Sequence, residues 1–254
     1  MTQLVASTMD LLRTRGREML SYLTFLELAV ENDARIAANN GQRQLALEKS
    51  LTHVLKANVS LLLYSAMEAC TVSLLDDMHD AIGKNCGGAD LLNDQLFLMV
   101  ARSFKNRKTD VNHNNTQRPL HEHLFKTWLS DWNDRSQREK RQIGFSGGVD
   151  SLEIFNQLQR FGVFPSTLDK PPSHLTHKAL QSTKDRRNRL AHGEVSFEDL
   201  GQTLAISSLR GEARAVFRTL RRITLEVDTF LQQRLYLAAP LLLATAVPTA
   251  AAAV

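Results

Sequence analysis

Near the N-terminus, apolar side chains recur at intervals of three, four and seven: Leu12, Met19, Leu23, Leu26 and Val30. That is one stripe of a 3.6-residue period, and it predicts a helix over residues 8–38, ended by Asn39-Asn40-Gly41. A longer pattern follows over about 42–82, through Leu51, Leu55, Val59, Leu62, Ala66, Ala69 and Leu74, and stops at Gly83 ahead of the loop Asn85-Cys86-Gly87-Gly88. Its middle, SLLLYSAMEACTVSLL, is apolar on nearly every side, which suits a helix covered by neighbours at the centre of a bundle.

Asp90 can cap a third helix that runs to about residue 104, and the Asn-rich stretch KNRKTDVNHNNTQR reads as an exposed loop. A short fourth helix has Pro119 in its first turn and Trp128, Leu129 and Trp132 on its apolar side; the charged run 131–141 breaks the pattern. Asp150 with Glu153 three residues later predicts a capped start for LEIFNQLQRF, closed by Gly162, with a connector over 165–172. Two further helices are expected over about 173–191 and 207–237, the last with Leu209, Val216, Leu220, Ile223, Val227 and Leu231 inward. Runs of alternating β-branched residues are missing. The pattern therefore predicts an all-α chain: one helical domain over 1–237, four to five main helices and a small insertion over about 134–172.

Composition narrows the class. With 43% hydrophobic and 23% charged residues in 254, the chain is neither a disordered tail, a collagen-like repeat nor a disulfide-stapled miniprotein. Lys and Arg number 31 against 27 Asp and Glu, a formal charge of +4, which permits a nucleic-acid partner without demanding one. Cys70 and Cys86 are the only cysteines, too few for a zinc ribbon or a multi-bridge scaffold, so a reducing, cytoplasmic setting is expected. The first twenty residues alternate apolar and charged positions and do not read as a signal peptide. Residues 235–254 carry no charge, but Pro240, Pro248 and the Ala- and Thr-rich second half do not suit a spanning helix; residues 238–254 are expected to be a poorly ordered tail, with no membrane partner.

Three strings carry candidate chemistry. Ser146-Gly147-Gly148-Val149-Asp150-Ser151 resembles the phosphate-binding loop of PP-loop ATP pyrophosphatases. That loop needs an interior strand before it, and DWNDRSQREKRQIG is too charged for one, so a glycine turn with Asp150 as helix cap is the expectation. His121 and His123, with His113 nearby, suggest a metal, but residues two apart on a helix diverge by about 200° and no Cys or carboxylate cluster completes a shell. Solvated histidines, with no metal or cofactor, are expected.

The third string is Lys184-Asp185-Arg186-Arg187-Asn188-Arg189-Leu190-Ala191-His192-Gly193. Arg187 and His192 lie five apart and would diverge by about 140° on a straight helix, but near a helix end released by Gly193 both can face one phosphate. A guanidinium binds phosphate oxygens as a fork, and imidazole exchanges a proton near neutral pH. In RNA the 2′-OH is an internal nucleophile, so such a pair can act without a metal. The spacing alone is common, since Arg118 and His123 repeat it.

Context distinguishes the second occurrence. KDRRNRLAHGEVSFEDLG resembles the R-x4-6-H signature of the HEPN superfamily of α-helical ribonucleases and nucleotide-binding domains, in which Asn often follows the Arg. The order of elements over roughly 17–237 fits, and GFSGGVDSLEIFNQLQRFGV is similar to a short FSGxVD insertion of the bacterial MAE-type HEPN group. The resemblance implies a HEPN-like bundle and a homodimeric, metal-independent endoribonuclease, a toxin or anti-phage effector with an antitoxin or other regulatory partner. Arg187 would bind the scissile phosphate, His192 would serve as general base or acid, and Asn188 would orient the pair. Glu68 matches a polar position of the central helix, against the alternative of a buried carboxylate paired with an Arg. Lys184, Arg186 and Arg189 would contact RNA phosphates, and Arg214, Arg218, Arg221 and Arg222 fit either an RNA-tracking face or a solvated face balanced by Glu212, Glu226 and Asp228. The chain lacks the aromatic platforms of sequence-specific single-strand binders. The alternative is a catalytically silent HEPN module that binds a nucleotide or a partner protein.

Overall fold

The all-round apolar helix becomes the axis of the molecule. In the computed structural model, which describes residues 3–31, 35–37, 44–104, 117–134, 148–166 and 174–238, it is α2 (Lys49–Asn85). Before it come α1 (Ala6–Glu31) and two short strands, β1 (Arg35–Ala37) and β2 (Gln44–Ala46). After it come a 3-10 turn (Ala89–Leu91), α3 (Asp94–Phe104), α4 (Gln117–Asn133), α5 (Ser151–Arg160), α6 (His174–Ala191), α7 (Phe197–Gln202) and α8 (Ile206–Gln232). The all-α bundle is therefore as the pattern predicts. α1, α4, α6, α7 and α8 all pack on α2, which buries Val59, Leu63, Met67, Leu74, Met78 and Ile82 among them. Among the described residues α2 alone is long and apolar enough to cross a bilayer, and the bundle accounts for that composition by covering it.

Four boundaries differ from the sequence pattern, which also lacks α7: α2 starts at Lys49, not near 42, and α8 ends at Gln232, not 237, with Arg234 in the left-handed region at φ 55°. The first helix ends at Glu31, not near 38, because Arg35–Ala37 pairs antiparallel with Gln44–Ala46, Ile36 opposite Leu45. Three residues a side are too few to show an alternating signal, so the hairpin is silent in the sequence. The third helix starts at Asp94: Asn93, not Asp90, caps it, its Oδ1 accepting from the Leu96 N–H at 2.9 Å, while Asp90 falls in the 3-10 turn.

Polar side chains fix the ends of the long helices on their neighbours. Asp77 on α2 accepts from both the N–H and the hydroxyl of Thr8, at 3.0 and 2.8 Å, and Asp228 on α8 accepts from the Leu4 N–H at 2.8 Å. Asp77 thereby satisfies an amide donor that the first turn of α1 leaves unpaired, and Asp228 holds Leu4 just ahead of that turn. At the other end of the chain Tyr236 and Leu237 are buried, and Leu237 bridges Leu92. The uncharged C-terminal stretch thus begins inside the domain; residues 239–254 lie outside the described residues.

Candidate functional site

The R-x4-H string occupies the last turns of α6, and its backbone is fixed by a Schellman cap. Gly193, at φ 69°, takes the left-handed position; its N–H donates to the Leu190 carbonyl at 3.2 Å, and the Glu194 N–H reaches back to Arg189 at 2.9 Å. His192 is the capping residue itself, still bonded through its N–H to the Asn188 carbonyl at 2.9 Å. The chain then turns and Ser196 caps α7 by accepting from the Asp199 N–H at 3.0 Å. A small apolar cluster of Leu190, Leu200 and Ala57 seats this corner on α2. Gly201 makes the seat possible: a Cβ there would lie 1.8 Å from the His53 carbonyl oxygen.

The cations of α6 differ in what they touch. Lys184 is held by Asp150 at 2.5 Å, both side chains largely covered. Arg186 pairs with Glu212 on α8 and donates through Nε to the Ser60 hydroxyl at 2.9 Å. Glu212 also accepts from the hydroxyls of Ser182 and Thr183, at 2.6 and 3.0 Å, so a single carboxylate ties α6 to α8 while Arg186 reaches α2. These two cations are therefore internal ion pairs, not exposed phosphate contacts. Arg189 is exposed.

Arg187 has no carboxylate partner among the described residues. Its guanidinium lies over the ring of Tyr64, 4.7 Å from Cζ to the centroid, and Nη1 donates to the Asn188 Oδ1 at 3.0 Å. Both contacts orient the group and neither cancels its charge. Asn188 thus takes the orienting role expected of it. Tyr64, four residues before Glu68, is the site residue that the sequence reading passed over; the only signal was a phenol within an all-apolar helix, whose hydroxyl must find a partner. That partner is the N–H of Val149, at 3.0 Å.

The segment Gly148-Val149-Asp150 is thereby locked against the site. Gly148 has φ 114°, and a Cβ on it would meet the Tyr64 hydroxyl at 3.0 Å. Asp150 accepts from the Glu153 N–H at 2.8 Å and caps α5, as its spacing predicts. Burial alone would push the Asp150 carboxyl up, but the Lys184 hydrogen bond and charge, with the amides of Glu153 and Leu152, outweigh it and hold the group below its usual value. The Val149 and Glu153 amides are spent inside the protein; Ser146 and Gly147 lie outside the described residues.

Glu68 is exposed and makes no ion pair among the described residues, so the buried-pair alternative does not hold for it. His121 is half-buried and His123 exposed; His113 lies outside the described residues. Among the described residues no cluster of three His, Cys, Asp or Glu side chains is disposed to hold a metal ion. Cys70 is buried and its thiol pushed up to about 12 by loss of hydration; Cys86 is buried and shifted up for the same reason.

Arg214, Arg218, Arg221 and Arg222 are all exposed, and none pairs with a carboxylate among the described residues. The balancing acids are engaged elsewhere: Glu212 with Arg186, Glu226 with Ser166, and Asp228 with Leu4 and Gln232. The face is solvated, as one alternative has it, but among the described residues those acids do not balance it.

No protein-family model, curated protein or solved structure matches this chain.

His192 is exposed at the cap, and no hydrogen bond joins it to Arg187. The expectation that release at Gly193 lets both side chains face one phosphate is not met within one chain: the turn comes after His192, α6 remains helical through the His192 amide, and the two side chains leave the axis about 140° apart. One copy therefore offers an oriented, charged guanidinium against α2 and, at the helix end, a freely accessible imidazole.

Proposed function

We propose that the chain is a metal-independent endoribonuclease of the HEPN type, acting as a homodimer on RNA in growth arrest or anti-phage defence, and neutralised by an antitoxin or other regulatory protein. The supporting observation is the treatment of Arg187: among the cations of its helix segment, its flanking neighbour and Lys184 are neutralised by carboxylates, while Arg187 is oriented by Asn188 and Tyr64 with its charge intact. An oriented, un-neutralised guanidinium is suited to a phosphodiester whose negative charge grows in the transition state.

In the reaction the 2′-OH loses its proton to the imidazole of His192 as O2′ attacks phosphorus, and the P–O5′ bond breaks. The products are a 2′,3′-cyclic phosphate and a 5′-OH, the leaving oxygen taking a proton from the His192 imidazolium of the second copy. Arg187 stabilises the pentacovalent phosphorus. The separation of the two side chains in one copy is the reason for a dimer, in which a pair of such segments face one cleft.

Purified protein incubated with total RNA and a chelator tests this. Chelator-resistant fragments ending in cyclic phosphate, abolished by both Arg187→Ala and His192→Ala, are the expected result. Absence of cleavage by the wild type, with a nucleotide or protein still bound, would replace it with the silent-module reading.

A further inference from the structure

On the far side of the bundle α1 and α8 leave a trough of about 360 Å³ between them, floored by Met9, Leu12 and Phe217. Its lining follows one stripe of α1 from Met9 to Leu20, about 16 Å or three helical turns. Gly16 gives the trough its depth: nothing stands on it, and a Cβ there would reach Phe217 only at 3.9 Å. Leu20 remains 54% exposed on its edge.

The rim is cationic. Arg13, Arg17 and Arg221 line it, and Arg214 lies two turns before Arg221 on the same side of α8. Only Arg13 has a carboxylate, Asp10 at 2.7 Å; Arg17, Arg214 and Arg221 have none among the described residues. Arg221 is nine residues beyond Glu212, a rotation of about 180°, so this stripe faces away from α6 and the Arg187 site.

We infer that this trough is a docking site for an acidic amphipathic helix of a partner protein. Met9, Leu12, Gly16 and Leu20 follow one another at three and four along α1, so the trough runs with the helix axis and is deepest at Gly16, where a side chain of a helix laid along it can enter, and its unpaired arginines would meet carboxylates on the flanks of that helix. A nucleic acid fits less well, since the arginines would serve its phosphates but the floor offers bases a single half-buried ring, Phe217, and no side-chain hydrogen-bonding group. The inference is independent of cleavage.

The test uses the full chain and two labelled 18-residue helical peptides with the same leucine stripe, one with Glu and one with Lys on the polar face, read by fluorescence anisotropy. The Glu peptide is expected to bind, the Lys peptide about tenfold or more weaker. Gly16→Leu, which fills the trough, and the pair Arg17→Glu and Arg221→Glu should each weaken the Glu peptide about tenfold, with the helical circular dichroism of the protein unchanged. Equal binding of both peptides, or binding indifferent to these substitutions, overturns the proposal. So does dissociation of an oligomer by Gly16→Leu, which would make the trough a self-interface, or binding of an RNA oligonucleotide in place of the peptide that Arg17→Glu abolishes.

Discussion

At the scale of single residues, the candidate site is a question of which polar groups are satisfied and by what. Tyr64 has two duties that mutation can separate. Tyr64→Phe keeps the ring under Arg187 but strands the buried Val149 N–H, so urea unfolding should show a loss of about 1–3 kcal/mol while cleavage persists. Tyr64→Leu also removes the face that positions the guanidinium, and the proposed RNA cleavage should fall about tenfold, the equivalent of a cation–π contact of about 1.4 kcal/mol. Asp150 carries a pH signature. Its folded pKa is depressed, so its contribution is fully present above the unfolded value of about 3.9 and is lost as pH falls through the folded value. Below about pH 4, wild-type stability should drop more steeply than that of Asp150→Asn, measured by thermal melts at stepped pH. The residues of the R-x4-H string were legible from residue type and context, but the different directions in which Arg187 and His192 leave α6 were not. Tyr64 was not, because a phenol in an apolar run says that a partner exists without saying which.

At the scale of elements, two glycines hold the corner that presents His192, for different reasons. Gly193 stands in open space at φ 69°, so Gly193→Ala is opposed only by backbone strain and should cost about 1–2 kcal/mol. Gly201 is limited by contact: a methyl group 1.8 Å from the His53 carbonyl must lift α7 off α2, and Gly201→Ala should cost about 3 kcal/mol or more and lower cleavage with it. Differential scanning calorimetry of the two variants distinguishes them. The role of Gly193 as a helix stop could be read from its place after a periodic segment. That of Gly201 could not, since nothing local marks a backbone that another helix will approach. Asp150 and Gly162 were likewise readable as the start and stop of α5, whereas the β1–β2 hairpin and the Asn93 cap were not.

At the scale of the whole molecule, one carboxylate knits three helices. Glu212 holds Arg186, Ser182 and Thr183, and Arg186 reaches Ser60, so Glu212→Ala leaves a largely covered guanidinium without its counter-charge. A loss of about 3–5 kcal/mol in denaturant titration is expected, with α6 loosened from both neighbours. The sequence by itself determined the all-α class, the central place of α2, the ends of α5 and α6 and the residues of the R-x4-H string, because hydrophobic period, caps and glycine stops act over three to seven neighbouring positions. The tertiary structure alone decided which cations are neutralised, that Tyr64 underlies Arg187, and that Arg221 of α8 lines a trough beside α1. Charge partners and close approaches join residues far apart in the chain, and only packing α6, α8 and α1 around α2 brings them within reach.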